Sequence, residues 1–332
     1  MPEAALAPGA VATPRAAYGT AVAGLATALP DTVVTNDEVA ARIGKDARWI
    51  ETRTGISSRR VLAADERLSG LAARAAEDAL ADAGVAAEDL DLVLLATASG
   101  DDIFPAVAAE VCGLIGAHRA AGLDVSAACT GFLSCVQLAS GLLEAGRATA
   151  VLVIGAEKLS AITDPEDKRT AMLFADAAGA MVLTRADAPG ELGPVVLRTD
   201  AQRDLLYADR ERQLIEMDGH EVFKHAVARM TEATQEALDA AGVALEDVDL
   251  FVYHQANARI VRSVGQRLGL DPAKVVDAIA DVGNVSAASL PLALAAARAD
   301  GRLVEGTRVL LSAFGAGFVW GAAILDWKGS SS

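Results

Sequence analysis

Hydrophobic and polar positions along the chain follow two periods. Short apolar runs rich in Val, Leu and Ile occur at Ala21–Leu25, Leu92–Ala96, Ala150–Ile154, Ala180–Leu183, Leu250–His254, Val309–Ala313 and Ala322–Asp326. Runs of this length, bounded by turn residues, predict β-strands. Between them, apolar positions recur with helical spacing over Leu71–Ala83, Phe104–Leu114, Gly131–Ala145, Glu221–Ala241, Ala258–Leu268 and Ala287–Ala299. That spacing gives each helix one apolar face. Strands and helices alternating in this way predict mixed α/β layers. Residues 200–218 are charged and follow neither period, so they are expected to form a surface loop.

The pattern also repeats. Leu80–Leu92 reads LADAGVAAEDLDL and Leu238–Leu250 reads LDAAGVALEDVDL, nine of thirteen positions identical at an offset of 158 residues. Each copy is a helix end, a glycine stop (Gly84, Gly242), an acidic turn and a buried strand. A period this long is not a solenoid repeat. It predicts two halves of one architecture, at 18–188 and 189–327, after a flexible tail at 1–17. The same offset carries Cys129 to Ala287, beside Asn284. His254 closes the strand of the second copy. If the halves pack about a pseudo-twofold axis, Cys129, His254 and Asn284 meet at its centre.

Composition narrows the partners. The 332 residues carry a net charge of −16, which argues against nucleic acid as a bulk partner. No apolar run approaches the roughly 20 residues of a membrane span. The three cysteines, Cys112, Cys129 and Cys135, have neither metal nor disulfide-framework spacing. A reducing, cytoplasmic setting is expected.

Cys129 stands in Asp124-Val125-Ser126-Ala127-Ala128-Cys129-Thr130-Gly131-Phe132, which predicts a strand, a tight turn and a helix whose first turn carries the thiol. The positive end of a helix favours thiolate there. A Cys, then a His, then an Asn suggests nucleophilic acyl chemistry through a thioester. The competing reading makes Cys129 a small buried residue, as Cys112 and Cys135 are expected to be. Asn284 would then be a turn residue and His254 a structural one. His118, His220 and His225 read as surface or packing residues.

Several motifs in order resemble one family: Trp49-Ile50-Glu51-Thr52-Arg53-Thr54-Gly55-Ile56, the Cys129 turn, Asp164-Pro165-Glu166-Asp167, Phe174-Ala175-Asp176-Ala177-Ala178-Gly179-Ala180, His254-Gln255-Ala256-Asn257, Gly283-Asn284-Val285-Ser286-Ala287-Ala288-Ser289, and Phe314-Gly315-Ala316-Gly317-Phe318-Val319-Trp320-Gly321. Over residues 18 to 327 the chain resembles the β-ketoacyl-[acyl-carrier-protein] synthase III family of thiolase-fold condensing enzymes. It departs at Ala177 and Ala316, where the family often has Gly, and at Lys168, where it usually has Arg. The 200–218 segment looks shorter than in the housekeeping fatty-acid enzymes.

The resemblance implies a five-layer αβαβα homodimer that uses acyl-CoA and malonyl-acyl-carrier-protein, with no metal or redox cofactor. It implies Cys129 as nucleophile and His254 and Asn284 as donors to the enolate formed by decarboxylation. The backbone N–H groups of Cys129 and Ala316 would form an oxyanion hole. It places Trp49, Arg53, Thr54, Lys168 (or neighbouring Arg169), Gly219, Ala256 and Asn257 along CoA and its pantetheine arm. Phe104, Leu159, Phe174 and Phe314 would wall the acyl pocket, Phe104 crossing from the other subunit. Lys224, Arg259, Arg262 and Arg267 read either as solvated charge or as a patch for an acidic carrier protein. Fatty-acid initiation, polyketide priming, acyl transfer to an alcohol or amine, and a catalytically idle binding role are the readings to separate. The intact Cys129, His254 and Asn284 oppose the last, and Asn284 opposes the third.

Overall fold

Leu92–Ala96 is buried at every position, as a strand covered on both faces requires. The computed structural model describes residues 18–188, 190–209 and 211–329; the tail expected at 1–17 lies outside the described residues. Up to Ala186 the chain forms β1 (Gly19–Ala28), β2 (Thr32–Thr35), α1 (Asn36–Ile43), α2 (Ala47–Thr54), β3 (Ser58–Val61), α3 (Leu68–Ala83), β4 (Leu92–Ala96), α4 (Val107–Ile115), β5 (Ala121–Val125), α5 (Gly131–Glu144), β6 (Ala150–Lys158) and β7 (Asp176–Ala186). Beyond it come β8 (Leu192–Thr199), β9 (Leu206–Ala208), β10 (Ile215–Met217), α6 (Gly219–Ala241), β11 (Leu250–Tyr253), α7 (Ala258–Leu268), α8 (Ser289–Ala299), β12 (Arg308–Gly315) and β13 (Val319–Asp326).

Two sheets carry the architecture, in the orders β1-β7-β6-β4-β5 and β8-β13-β12-β11. Their pairings match step by step: β1/β7 and β8/β13 are antiparallel, as are β7/β6 and β13/β12, while β6/β4 and β12/β11 are parallel. A parallel bridge from Phe251 to Val275 stands where β5 pairs with β4 in the first sheet. Three apolar cores separate the layers. Helices α3 and α4 pack on the outer face of the first sheet around Leu71, Ala76 and Val111. Helices α5 and α8 lie between the sheets around Phe132, Val136, Leu290 and Leu294. Helices α6 and α7 cover the second sheet around Ala226, Met230 and Val261. The order is therefore α, β, α, β, α, the thiolase-like arrangement.

Two expectations need correction. The helix expected from Phe104 starts at Val107. Pro105 disfavours helical backbone at the residue before it, leaving Phe104 in a loop. Residues 200–218 are not plain loop: β9 and β10 pair antiparallel, Met217 opposite Leu206, and Ile215 is buried.

Candidate active site

The second sheet presses its β12 end against the turn that carries the thiol. A Cβ on Gly315 would lie 2.8 Å from the Cys129 nitrogen, so only glycine allows this approach. Cys129 sits in a 3₁₀ turn, Ala128–Thr130, directly before α5 rather than in its first turn. The pseudo-equivalent turn is Ser286–Ala288, directly before α8. At the offset of 158, Ala128 and Ser286 both hold φ +45°, left-handed backbone that non-glycine residues rarely adopt. Strain repeated at both junctions is the kind that surrounding packing enforces at working sites. Elsewhere among the described residues only Gln213 shares it without being glycine.

Cys129 keeps part of its surface open to a cavity of about 460 Å³. The rest is packed in protein, and burial pushes the thiol up to about 12. The nearby Ser286 side chain opposes that rise, and the Glu157 carboxylate adds to it. Desolvation is the largest of these influences on the thiol.

His254 follows β11, its N–H donating to the Ser312 carbonyl at 2.8 Å. Gln255 locks the turn behind it: its N–H donates to Ser289 Oγ (2.7 Å), its amide NH₂ to the carbonyls of Tyr253 (2.7 Å) and Val276 (3.1 Å), and its Oε1 accepts from Ala278 N–H (3.0 Å). Burial drives the imidazole down to about 4, so it is neutral near pH 7. Neither ring nitrogen has a partner among the described residues. Asn284 is tied to Phe174 by a parallel bridge, its N–H donating to the Leu173 carbonyl (2.8 Å) and its carbonyl accepting from Ala175 N–H (3.0 Å). Its side-chain Oδ1 accepts the Ser286 N–H at 3.0 Å, which leaves Nδ2 as a donor free of protein partners among the described residues.

Cys129, His254 and Asn284 all line the same cavity. So do Arg53, Phe174, Gly219, Ala256, Asn257, Arg259, Phe314 and Gly315. Arg169 lines it and the exposed Lys168 does not. Asn257 caps α7, accepting from Arg259 N–H (2.9 Å) and donating to the Arg53 carbonyl (3.1 Å). Arg53 stacks at 4.3 Å over the Trp49 ring, which stands beside the cavity rather than in its wall. Thr54 is buried with its hydroxyl donating to the Ile50 carbonyl and accepting from Ile56 N–H, so nothing of it reaches the cavity. Leu159 does not line the cavity but shares an apolar cluster with Phe174 and Leu173, which do. Ala316 is half-buried in the β12–β13 turn and does not line the cavity. Phe104 is 83% exposed and contributes nothing to the wall within one chain. Lys224 pairs with Glu221 at 2.6 Å, Arg262 Nε donates to the Ala258 carbonyl, and Arg267 ends the same helix, α7.

Several lining residues escaped the sequence reading. His220, expected at the surface or in packing, opens onto the cavity from the start of α6. Val222, Ala226 and Met230 line it at four-residue spacing on α6, and that spacing was the available signal. Leu206 and Met217 reach it from the β9–β10 hairpin. Among the described residues no group of three His, Cys, Asp or Glu is placed to hold a metal ion. No described helix is long and apolar enough to cross a membrane.

Family models for 3-oxoacyl-[acyl-carrier-protein (ACP)] synthase III match residues 123–201, and for its C-terminal part residues 238–327. The chain is 44% identical over 315 residues to a β-ketoacyl-[acyl-carrier-protein] synthase III of Granulibacter bethesdensis, covering 92% of this chain and 98% of the relative. It is also 44% identical to the β-ketoacyl-[acyl-carrier-protein] synthase III 2 of Streptomyces coelicolor, over 94% and 95% of the two chains. Among solved structures, the 3-oxoacyl-(acyl carrier protein) synthase III of Pseudomonas aeruginosa superposes with a TM-score of 0.89 at 40% identity, over 93% of this chain and 98% of that one. The priming β-ketosynthase of the R1128 polyketide biosynthetic pathway does so at 0.89 and 35% identity, over 94% and 97%.

Proposed function

The chain belongs to the β-ketoacyl-[acyl-carrier-protein] synthase III family of condensing acyltransferases, and we propose that its cavity runs a two-stage condensation. In the first stage Cys129 attacks an acyl-CoA thioester and releases CoA. In the second, malonyl-acyl-carrier-protein loses its carboxylate as CO₂ and the resulting enolate attacks the Cys129 thioester, giving a 3-ketoacyl-carrier product. The observation that carries this is the convergence of a thiol, an unpartnered neutral imidazole and an amide with a free Nδ2 on one cavity. Two neutral donors in a desolvated site stabilise a developing enolate without repelling the departing carboxylate. A cationic His254 would hold that carboxylate in place, so the lowered pKa suits the step. No step requires a metal or redox cofactor.

The division into halves at 18–188 and 189–327 is part of the reading, supported by the matching sheet orders. So is the homodimer. Strand β5 is an open sheet edge with Leu123 half-exposed, and Ile103 and Phe104 stand out from the adjoining loop at 78% and 83% exposure. A partner covering that edge would receive Phe104 near its own acyl pocket. A cytoplasmic setting is supported by three free cysteines, Cys112, Cys129 and Cys135. Arg53 and Arg169 at the cavity wall suit CoA phosphates, and Arg259, with Lys224 and Arg262 on the same helix pair, suits an acidic carrier. Polyketide priming is the second reading, favoured by the likeness to the R1128 enzyme.

The experiment is intact-protein mass spectrometry against a panel of acyl-CoAs, followed by malonyl-carrier protein and measurement of CO₂. One acyl group per chain, then CO₂ and a 3-ketoacyl product, is expected. Acyl transfer to an alcohol or amine without CO₂ release would overturn the reading.

A further inference from the structure

The acylation step must take a proton from a thiol that burial holds near 12, and His254, held near 4, is a weak base for it. A different group stands behind the thiol. Glu157 near the end of β6 is completely buried. Its Oε2 accepts from Ala98 N–H (3.0 Å), Thr97 Oγ1 (3.3 Å) and the Ser99 hydroxyl. Its Oε1 is buried and closes no hydrogen bond of normal geometry with any described residue. Buried carboxylate oxygens are rarely left that way in folded proteins, and such an orphan calls for a role.

The strand geometry shows where this carboxylate points. Residues two apart on a strand share a face. Gly155 and Glu157 therefore face the same way, and a Cβ on Gly155 would lie 2.3 Å from the Ala287 carbonyl oxygen. That face of β6 is packed onto the Ser286–Ala288 turn. The Ser286 hydroxyl and Ala287 N–H lie near enough to the Glu157 carboxylate to stabilise its charge, and the same hydroxyl lies near enough to Cys129 to stabilise its thiolate. Thiol, hydroxyl and carboxylate stand in sequence.

We propose that Ser286 and Glu157 carry the Cys129 proton during acylation, leaving His254 and Asn284 for the enolate. The inference rests on Cys129 being the nucleophile. As sulfur bonds to the thioester carbonyl carbon, its proton passes to Ser286 Oγ while the Ser286 proton passes to Glu157. The bond from that carbon to the CoA sulfur then breaks, and the CoA thiolate recovers the proton by the reverse path. The sum is a thiol and an acyl-CoA giving an acyl-cysteine and free CoA. Ser286 touches the reacting sulfur; Glu157 acts only through Ser286.

Burial raises the Glu157 carboxyl above its usual range, which brings it closer to the thiol it serves. The charged groups nearby are engaged elsewhere. Lys158 on the same strand turns its ammonium to the Ala63 and Glu66 carbonyls. Asp176 on β7 accepts from Leu62 N–H and from Ser160. Past β4 the Thr97–Ser99 groups are neutral, and Asp101 accepts from the N–H groups of Leu68 and Ser69. Cys129 faces the carboxylate from the turn before α5.

The test follows Cys129 acylation by rapid quench and intact-protein mass, from mildly acidic to alkaline pH. The proteins are wild type, Glu157→Gln, Glu157→Asp and Ser286→Ala. Ser286→Ala is expected to fold, because Ala128 holds the same φ of +45° in the twin turn. In wild type the rate rises with pH as Glu157 ionises. Glu157→Gln and Ser286→Ala are each expected to lose about 10²-fold near neutral pH, the order of a general base. Their rate should rise only toward the pH at which the thiol itself ionises, and Glu157→Asp should restore part of the wild-type profile. A folded Ser286→Ala with wild-type rate and profile overturns the relay. So does a Glu157→Gln that is slower by one constant factor at every pH, which marks a structural role. Absence of acylation in the wild type sinks the nucleophile assignment instead.

Discussion

Gly155→Ala probes the junction between the sheets with one methyl group. The added Cβ would sit 2.3 Å from the Ala287 carbonyl oxygen, 2.6 Å from its carbon and 3.0 Å from the Ala288 nitrogen. A carbon and an oxygen normally approach to about 3.3 Å, so β6 and the Ser286–Ala288 turn must separate by about 1 Å. All three atoms are backbone, so no side chain can rotate away. Overpacking of this kind costs about 1–3 kcal/mol. The separation also moves Ser286 N–H, which holds Asn284 Oδ1. A misplacement of about 1 Å in a catalytic group can cost about 10²-fold in rate. Gly24→Ala is the control: its Cβ would meet the Ala79 carbonyl at the same 2.3 Å, but against α3 in the outer layer. Thermal melts and condensation rates per folded molecule separate the two. Both variants should melt lower, and only Gly155→Ala should lose condensation beyond its loss of fold. A folded Gly155→Ala that condenses at the wild-type rate would refute the claim that this contact positions Asn284.

Asn284→Asp removes the free Nδ2 donor and adds negative charge. It should spare acylation and slow CO₂ release by about 10²–10³-fold, the cost of one oxyanion donor; equal losses in both half-reactions would count against that role. His254 is neutral when folded down to about pH 4, whereas the unfolded side chain takes up its proton near 6.5. Between those values the unfolded state binds the extra proton, so this group's contribution to stability is lost as pH falls, by about 3 kcal/mol in total. Chemical denaturation of wild type and His254→Asn across that window should show the gap closing, and parallel curves would contradict it. Arg53→Ala should raise KM for acyl-CoA about fivefold with kcat nearly unchanged, as loss of one partly exposed ion pair to a CoA phosphate worth about 1 kcal/mol implies; a fall in kcat alone would place Arg53 elsewhere in the cycle.

Much of the architecture is legible in the sequence where burial is complete or one-sided. Leu92–Ala96 and Ala258–Leu268 are predicted to the residue because one is apolar throughout and the other strongly amphipathic. Strand β5 is anticipated only at its end, where Asp124-Val125 leads into the Cys129 turn, because it is an exposed edge carrying Gly122 and Asp124, with no apolar alternation to read. Helices α1 and α2 are short and polar, although the Thr35–Glu38 capping box and the Asp46 cap mark their starts. The internal repeat locates the two turns that meet, down to the shared backbone at Ala128 and Ser286. It does not reveal the raised thiol, because desolvation depends on what packs around Cys129, and sequence spacing carries no measure of that. The cavity wall on α6 and the hairpin is missed because residues from distant segments build it together.

The central claim is that Cys129 carries the acyl group. Wild-type and Cys129→Ala proteins should be incubated with the acyl-CoA that loads best and weighed intact. The wild type should gain the mass of one acyl group and discharge it on adding malonyl-carrier protein, while Cys129→Ala stays at its own mass. An acyl increment that persists on the Cys129→Ala protein would contradict the account.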